Sequence, residues 1–299
     1  FLNPGYLGPL EQFKALYANP IENDRDSERL AAFRQITAPF LLRRLKTDRS
    51  VIKDLPEKIT QVEHCHLEPE QAALYQQVVE TQLRELSEAE PGARAGRMLK
   101  FMTAVKQVCN HPWHYLKRGT RAAEASGKAQ RLLELIDAAL DADERILIFT
   151  QYRQMGELLV EMLTDRYGYK LPFLHGGLTR SERDTMVAAM QDGTGPPILL
   201  LSIKAGGTGL NLTAANHVIH YDLWWNPAVE SQATDRAFRI GQRRNVHVHR
   251  LITTGTFEEH IDEMLSQKRE LAALTVGEGG AWLGDALELL EREASSSLF

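Results

Sequence analysis

Cysteine is nearly missing from the 299-residue chain: Cys65 and Cys109 are its only two. Two thiols cannot build a disulfide framework, and such sparing use suits a reducing interior. Long apolar runs are missing too. No stretch approaches the roughly 20 residues that a membrane-spanning helix needs, so no membrane partner is assigned. No signal peptide precedes the first residue, Phe1, and the chain reads as a piece cut from something longer. Metal-ligand spacing is lacking as well. Cys109, His111 and His114, with the distant Cys65 and His66, show neither C-x2-C nor H-x3-H, so no metal is assigned.

Nucleotide-holding patterns are also absent. The phosphate-cradling loop G-x-x-x-x-G-K-[ST] has no match, because Gly127-Lys128 is followed by Ala129 and lacks the upstream glycine. No Asp-Glu pair closes an apolar strand. Asp143-Glu144 precedes one, and Asp262-Glu263 falls inside a predicted helix. The dinucleotide fingerprint fails where Leu212 replaces its third glycine. An autonomous hydrolase is the reading with least support.

What remains is an ordinary globular composition, 43% hydrophobic and 25% charged, long enough for two domains or one with appendages. The net charge of −5 does not advertise nucleic-acid binding. Its distribution is uneven, however. Residues 277–299 hold five acids against Arg292, whereas Arg97 to Lys128 carries seven bases against Glu124 alone. That local basic stripe has the sign required for phosphate contact.

Periodicity divides the chain further. Asn3-Pro4-Gly5 and Gly8-Pro9 are turns, and a helical stretch Ser27–Lys46 carries Pro39 as a break and ends in Arg43-Arg44-Leu45-Lys46. Lys58–Leu67 reads as a strand, Glu68–Ser87 and Arg97–Val108 as helices, and Gly119–Gly127 as a flexible linker. Strands then alternate with helices: strands Arg145–Thr150, Leu171–Leu174, Ile198–Leu201, Val218–Tyr221 and Val246–Leu251, helices Lys128–Leu140, Met155–Tyr167 and Ser181–Gln191. Thr256–Leu274 closes the series as a helix with Thr256 as N-cap, before the acidic, Gly-rich tail. Such alternation argues a parallel sheet covered on both faces. Ligand loops then gather at the strands' carboxyl ends, here Thr150-Gln151, His175-Gly176-Gly177, Lys204–Gly209 and Trp224–Asn226.

The stretch from Ile198 to Gln242 concentrates the chemistry. After the Ile198 strand, Lys204-Ala205-Gly206-Gly207-Thr208-Gly209 is nearly bare backbone that another molecule can approach. Pro227 opens a helix expected to run to Arg239 or Ile240, which puts Gln232, Arg236 and Arg239 on one face. Two guanidiniums one turn apart suit polyphosphate oxygens. The same residues also fit a solvated helix with Glu230 and Asp235 as ion-pair partners.

The wording Gln232-Ala233-x-x-Arg236-x-x-Arg239-Ile240-Gly241-Gln242 resembles motif VI of superfamily-two nucleic-acid motors, specifically the SWI/SNF family of double-stranded DNA translocases. The phrases LLRRLK…LPEK and CNHP are similar to that family's linker and insertion. The resemblance implies an α/β fold, a RecA-like doubly wound parallel sheet with an N-terminal helical appendage. It divides the chain into 1–60 trailing from a first motor lobe, 61–125 with a strand and helical insertion, a lobe at 126–276, and a tail helix at 277–299.

On this resemblance the ATP-holding first lobe is absent, and ATP with Mg is held mainly there. Arg236 and Arg239 are implied as arginine fingers, Gln232 as the coupling residue, and Gly207, Gly209 and Leu210 as nucleotide contacts. Thr150, Gln151, Lys204, Gly206, Thr208 and Trp225 are implied as DNA contacts; Trp225 alternatively anchors its loop. The partners implied are double-stranded DNA and the first lobe of the same chain. A protein partner at the helical insertion stays open. The strand at 59–67, lacking a neighbour in the absent lobe, is expected to be mobile or to pair with a second copy. Location follows source: cytoplasm or nucleoid in a bacterium, nucleus in a eukaryote. Two other readings remain, an RNA helicase lobe and a binding module derived from such a lobe. Helicases of that kind usually place His where Gln232 stands, and a pure grip needs no aligned arginines.

Overall fold

The structure, a computed structural model, describes residues 5–22, 26–40, 55–90, 92–206, 209–224 and 226–263. The chain divides into two compact units, residues 1–53 with 266–279 and residues 54–265 with 280–299.

In the first unit α1 (Leu10–Phe13) continues through a π-helical turn, Lys14–Ala18, into α2 (Asn19–Glu22). Helix α3 (Ser27–Thr37) ends in a 3-10 turn, Ala38–Phe40, where Pro39 halts it as expected. The Phe13, Tyr17 and Phe33 rings sit 5.6–6.2 Å apart, and Tyr6 meets Phe40 edge-on at 4.7 Å. The basic run Arg43–Lys46, the last part of the closing helix and the acidic tail lie outside the described residues.

The second unit contains β1 (Lys58–Cys65), β2 (Ile146–Thr150), β3 (Phe173–Leu174), β4 (Ile198–Ser202), β5 (His217–His220) and β6 (Val246–Thr253). They form one wholly parallel sheet in the order β1-β6-β5-β2-β4-β3. Its helices are α4 (Pro69–Ser87), α5 (Arg94–Asn110), α6 (Pro112–Leu116), α7 (Gly127–Asp141), α8 (Arg153–Tyr167), α9 (Arg180–Asp192), α10 (Ile203–Gly206) and α11 (Pro227–Thr234). Residues 257–263 are helical as well.

All five residues of β2 and of β4 are buried, because both sheet faces are covered. Ile146, Ile148, Ile198 and Leu200 pack against Leu132 and Ile136 of α7 and Met155 and Leu159 of α8. Leu147, Phe149, Leu199 and Leu201 pack on the other face against Met190, Leu212, Ala233 and Phe238. This is the doubly wound, RecA-like α/β architecture that the alternation predicts. A third apolar cluster joins α4 and α5 through Val78, Met98, Phe101 and Val105.

Two expectations are corrected. Strand β1 is ordered within this chain, parallel to β6 over eight residues from Lys58↔Val246 to Cys65↔Thr253. Strand β6 is twice as long as β5 and offers β1 a complete ladder, so mobility or strand exchange through 59–67 is overturned. The stretch Gly119–Gly127 is not a flexible linker. Ala123 and Ser126 are buried, Ser126 caps α7, and its hydroxyl donates to the Asn110 carbonyl at 2.8 Å. A Cβ on Gly127 would fall 1.9 Å from the His66 carbonyl oxygen, so only glycine fits there.

Candidate functional site

At the carboxyl end of β2, Thr150 and Gln151 are held by a residue to which the sequence reading assigned no role. Asp222 follows β5, is fully buried, and accepts from the Thr150 hydroxyl at 2.5 Å and the Gln151 N–H at 2.7 Å. Asn110 Nδ2 of α5 donates to it at 3.2 Å, and Lys106 Nζ donates to the neighbouring Leu223 carbonyl. Burial pushes the Asp222 carboxyl above its ordinary range against the pull of Lys106, and pushes the Lys106 ammonium below its own. An acid closing an apolar strand, Val218-Ile219-His220-Tyr221-Asp222, is the signal that could have found it. Thr150 is thus turned inward, while Gln151 is half-buried.

A second buried pair lies nearby, Lys128 Nζ to Glu258 Oε1 at 2.6 Å. Burial opposes the Lys128 charge, but Glu258 outweighs it and raises its pKa. These contacts change the reading of the basic stripe. Lys106 and Lys128 are buried, Lys100 pairs with Glu85 at 2.8 Å, and Arg121 pairs with Glu161 at 2.5 Å. Arg97 donates to the Glu85 carbonyl and Lys117 to the His114 carbonyl. Six of the seven bases are engaged within the chain, so the run is not a continuous phosphate-binding field.

The second corner of the edge is built after β4. Helix α10 begins at once, with Lys204 exposed and its Nζ 6.0 Å from the Trp224 ring centroid. Gly206 ends this helical turn; Gly207, Thr208 and Trp225 lie outside the described residues. Gly209 has φ +61°, which favours glycine, and is exposed, while Leu210 is half-buried. Asn226 caps α11 by accepting from the Ala228 N–H at 2.9 Å, with Pro227 at the first helical position.

Helix α11 ends at Thr234, not at 239–240 as expected. The Arg236 carbonyl accepts from the Leu212 N–H at 3.0 Å, bonds to the third residue back take over at the Arg236 and Ala237 N–H groups, and the Ala237 and Phe238 side chains sink into the core. Hence Gln232 lies exposed on α11, whereas Arg236 and Arg239 lie on the turns beyond it, half-buried and exposed respectively. The three do not share one helix face. What the fold does bring together is Arg239 with Gly209 and Leu210: Nη1 lies 3.5 and 3.4 Å from their carbonyl oxygens. Gln242, quoted in the motif but given no role, holds this turn. It is buried, donates to the Ala215 and Ala237 carbonyls at 2.9 and 3.2 Å, and accepts from the Arg243 and Arg244 N–H groups.

An exposed guanidinium above a turn that also carries Arg236 suits the outer oxygens of a polyphosphate. A cradle for the inner phosphates is not in this sequence, and among the described residues no group of three acids, histidines or cysteines could hold a metal ion. His111 takes the Trp113 N–H at 3.0 Å. Burial pushes His114 down to about 3 and the Cys109 thiol up to about 12.

Residues 127–241 match the helicase conserved C-terminal domain, and residues 1–114 match the SNF2-related domain. The "Putative ATP-dependent helicase/translocase YwqA" of Bacillus subtilis is 50% identical over 91% of this chain, which spans 30% of its length. The Sulfolobus solfataricus SWI2/SNF2 ATPase C-terminal domain is 38% identical with a TM-score of 0.64, over 76% of this chain and 92% of that one. The S. solfataricus SWI2/SNF2 ATPase core in complex with dsDNA is 42% identical with a TM-score of 0.65, over 90% of this chain and 56% of that one.

Proposed function

Since the chain belongs to the SWI/SNF-like family of superfamily-two translocases, we propose that it serves as the C-terminal motor lobe of an ATP-dependent double-stranded DNA translocase. The observation that carries this reading is the pairing of Thr150-Gln151 and Lys204, at the carboxyl ends of β2 and β4, with an exposed Arg239 held against the Gly209-Leu210 backbone. In this reading the phosphate loop and the magnesium-holding acids belong to a first lobe, since the 299 residues contain no such loop.

ATP supplies the phosphoanhydride. Arg236 and Arg239 bind its outer oxygens and neutralise charge that develops on them. Gln232, exposed on α11 ahead of both, links that contact to the DNA-holding loops. Lys204 and the backbone of residues 206–209 grip the sugar-phosphate chain, with Gln151 and Trp225 as further contacts. Thr150, whose hydroxyl is committed to Asp222, positions Gln151 rather than touching DNA. Binding of this kind is salt-sensitive and carries little sequence preference.

ATP turnover with saturating double-stranded DNA tests the reading, in this chain alone and in this chain joined to a family first lobe. The chain alone is expected to be silent. The joined protein is expected to turn over, and Arg236→Ala or Arg239→Ala to lower its rate on the order of 10³-fold or more. Turnover by the chain alone would reveal a nucleotide site within it. A joined enzyme indifferent to both substitutions would remove the finger assignment.

A further inference from the structure

Away from the carboxyl edge, four titratable side chains form an unbroken series across the sheet. Glu144, in the turn before β2, meets His217 of β5, Oε2 to Nε2 at 2.5 Å. His217 Nδ1 lies 3.3 Å from Nε2 of His249 in β6. His249 Nδ1 lies 2.8 Å from Oε1 of Glu63 in β1, whose other oxygen accepts from Arg131 of α7 at 2.8 and 3.1 Å. The two imidazole planes differ by 3° and their centroids are 5.5 Å apart. With nitrogens much closer than centroids, the rings lie end to end in one plane. That is the geometry of an N–H···N bond, not of a stack.

Three contacts in series need three protons, one in each. A neutral imidazole carries one N–H. If His217 donates to Glu144 and His249 to Glu63, two lone pairs face each other at 3.3 Å with nothing between them. Moving either N–H to the middle leaves a ring lone pair facing a carboxylate instead. Two neutral rings with two carboxylates are therefore one proton short.

We propose that Glu144, His217, His249 and Glu63 form a proton-binding site that holds a third proton in the folded chain at neutral pH, clamping the edge strand β1 to the sheet.

The surrounding charges favour it. Arg131 pairs with Glu134 at 2.5 Å as well as with Glu63, and Arg244 lies 3.9 Å from Glu144. Three carboxylates thus face two guanidiniums, and one more proton balances them. The His247 ring stacks on His217 at 5.1 Å, and the Asn216 side chain also bonds Glu144. Burial pushes His217 below its ordinary value despite the pull of Glu144. Burial also pushes both carboxyls up, but their hydrogen bonds outweigh it and hold them below the ordinary range. The proton therefore belongs to the series as a whole rather than to one ring.

The sign follows from linkage. A proton bound more tightly in the folded state stabilises it fully below the ordinary imidazole value of about 6.5. That stabilisation is lost as the pH rises through the point where the folded series releases its proton.

The test uses the chain labelled with ¹⁵N-histidine at pH 7.5. Three ring N–H protons shared between His217 and His249, with signals that shift together on titration, are expected. One N–H on each ring, each titrating separately, would overturn the proposal. Signals that change when a chelator is added would assign the middle position to a bridging metal ion and overturn it equally. In parallel, urea unfolding is followed for the native chain and His249→Gln from pH 7 upward. The native unfolding constant is expected to rise about tenfold per pH unit relative to the variant, one proton's worth. Identical pH courses would count against the site. Should His249→Gln fail to fold, the spectra of the native chain decide alone.

Discussion

At the Asp222 corner of the sheet edge the loops turn their polar groups inward. Thr150, Asn110, Lys106 and Asp222 are all buried and bonded across α5, β2 and the end of β5. At the Arg239 corner the loops do the reverse. Arg239 is exposed, its bonds to the Gly209 and Leu210 carbonyls are at the long limit, and Ile240 is 75% exposed beside it. One corner fixes backbone position by burial. The other leaves a cationic head available because its own contacts are weak.

Breaking the first corner should have the largest effect on stability. Asp222→Ala removes the acceptor for three donors, two of them buried, and leaves Lys106 without its nearby acid, which should cost about 3–5 kcal/mol. Asp222→Asn keeps the shape and one acceptor oxygen and should cost much less, as burial already favours the neutral carboxyl. Urea denaturation of both variants measures this. A loss under about 1 kcal/mol for alanine would make the corner ordinary surface.

The two corners were unequally legible in the sequence. Apolar runs such as Ile198-Leu199-Leu200-Leu201 declare buried strands, because a strand covered on both faces cannot alternate. The loops at their carboxyl ends follow from that topology: Thr150-Gln151 closes β2 and Lys204 follows β4. Asp222, Lys106 and Lys128 were missed because their roles depend on partners about a hundred residues away. Composition counted both lysines as surface charge. The end of α11 was missed for a related reason: spacing predicts a continued helix, but the Leu212 N–H claims the Arg236 carbonyl from outside it. Strand β1 shows no neighbour in its local sequence because its partner, β6, lies far along the chain and runs beside its whole length.

Gln242 sharpens the contrast with an intermediate effect. Its side-chain amide serves four backbone groups around the turn that presents Arg239. Gln242→Ala leaves the two carbonyls without that donor and should cost roughly 1–3 kcal/mol. Gln242→Glu keeps the two N–H contacts but sets a carboxylate against the two carbonyls, and should lose at least as much. Thermal unfolding of the pair distinguishes a hydrogen-bonded brace from mere filling. Equal retention of stability in both variants would mean that the turn holds itself.

Arg239 should give the smallest effect on stability and the sharpest separation from function. Its guanidinium is exposed and donates only two long bonds, so Arg239→Ala should change unfolding free energy by no more than about 0.5 kcal/mol. Arg239→Lys keeps the charge but loses the planar fork that matches phosphate oxygens, and should be equally stable. In the joined protein, turnover by the lysine variant should fall between that of the native enzyme and that of the alanine variant. Such an ordering, with unchanged urea midpoints, separates charge from geometry at the phosphate. A stability loss above about 1 kcal/mol in Arg239→Ala would instead make this side chain part of the scaffold, and the difference between the two corners would collapse.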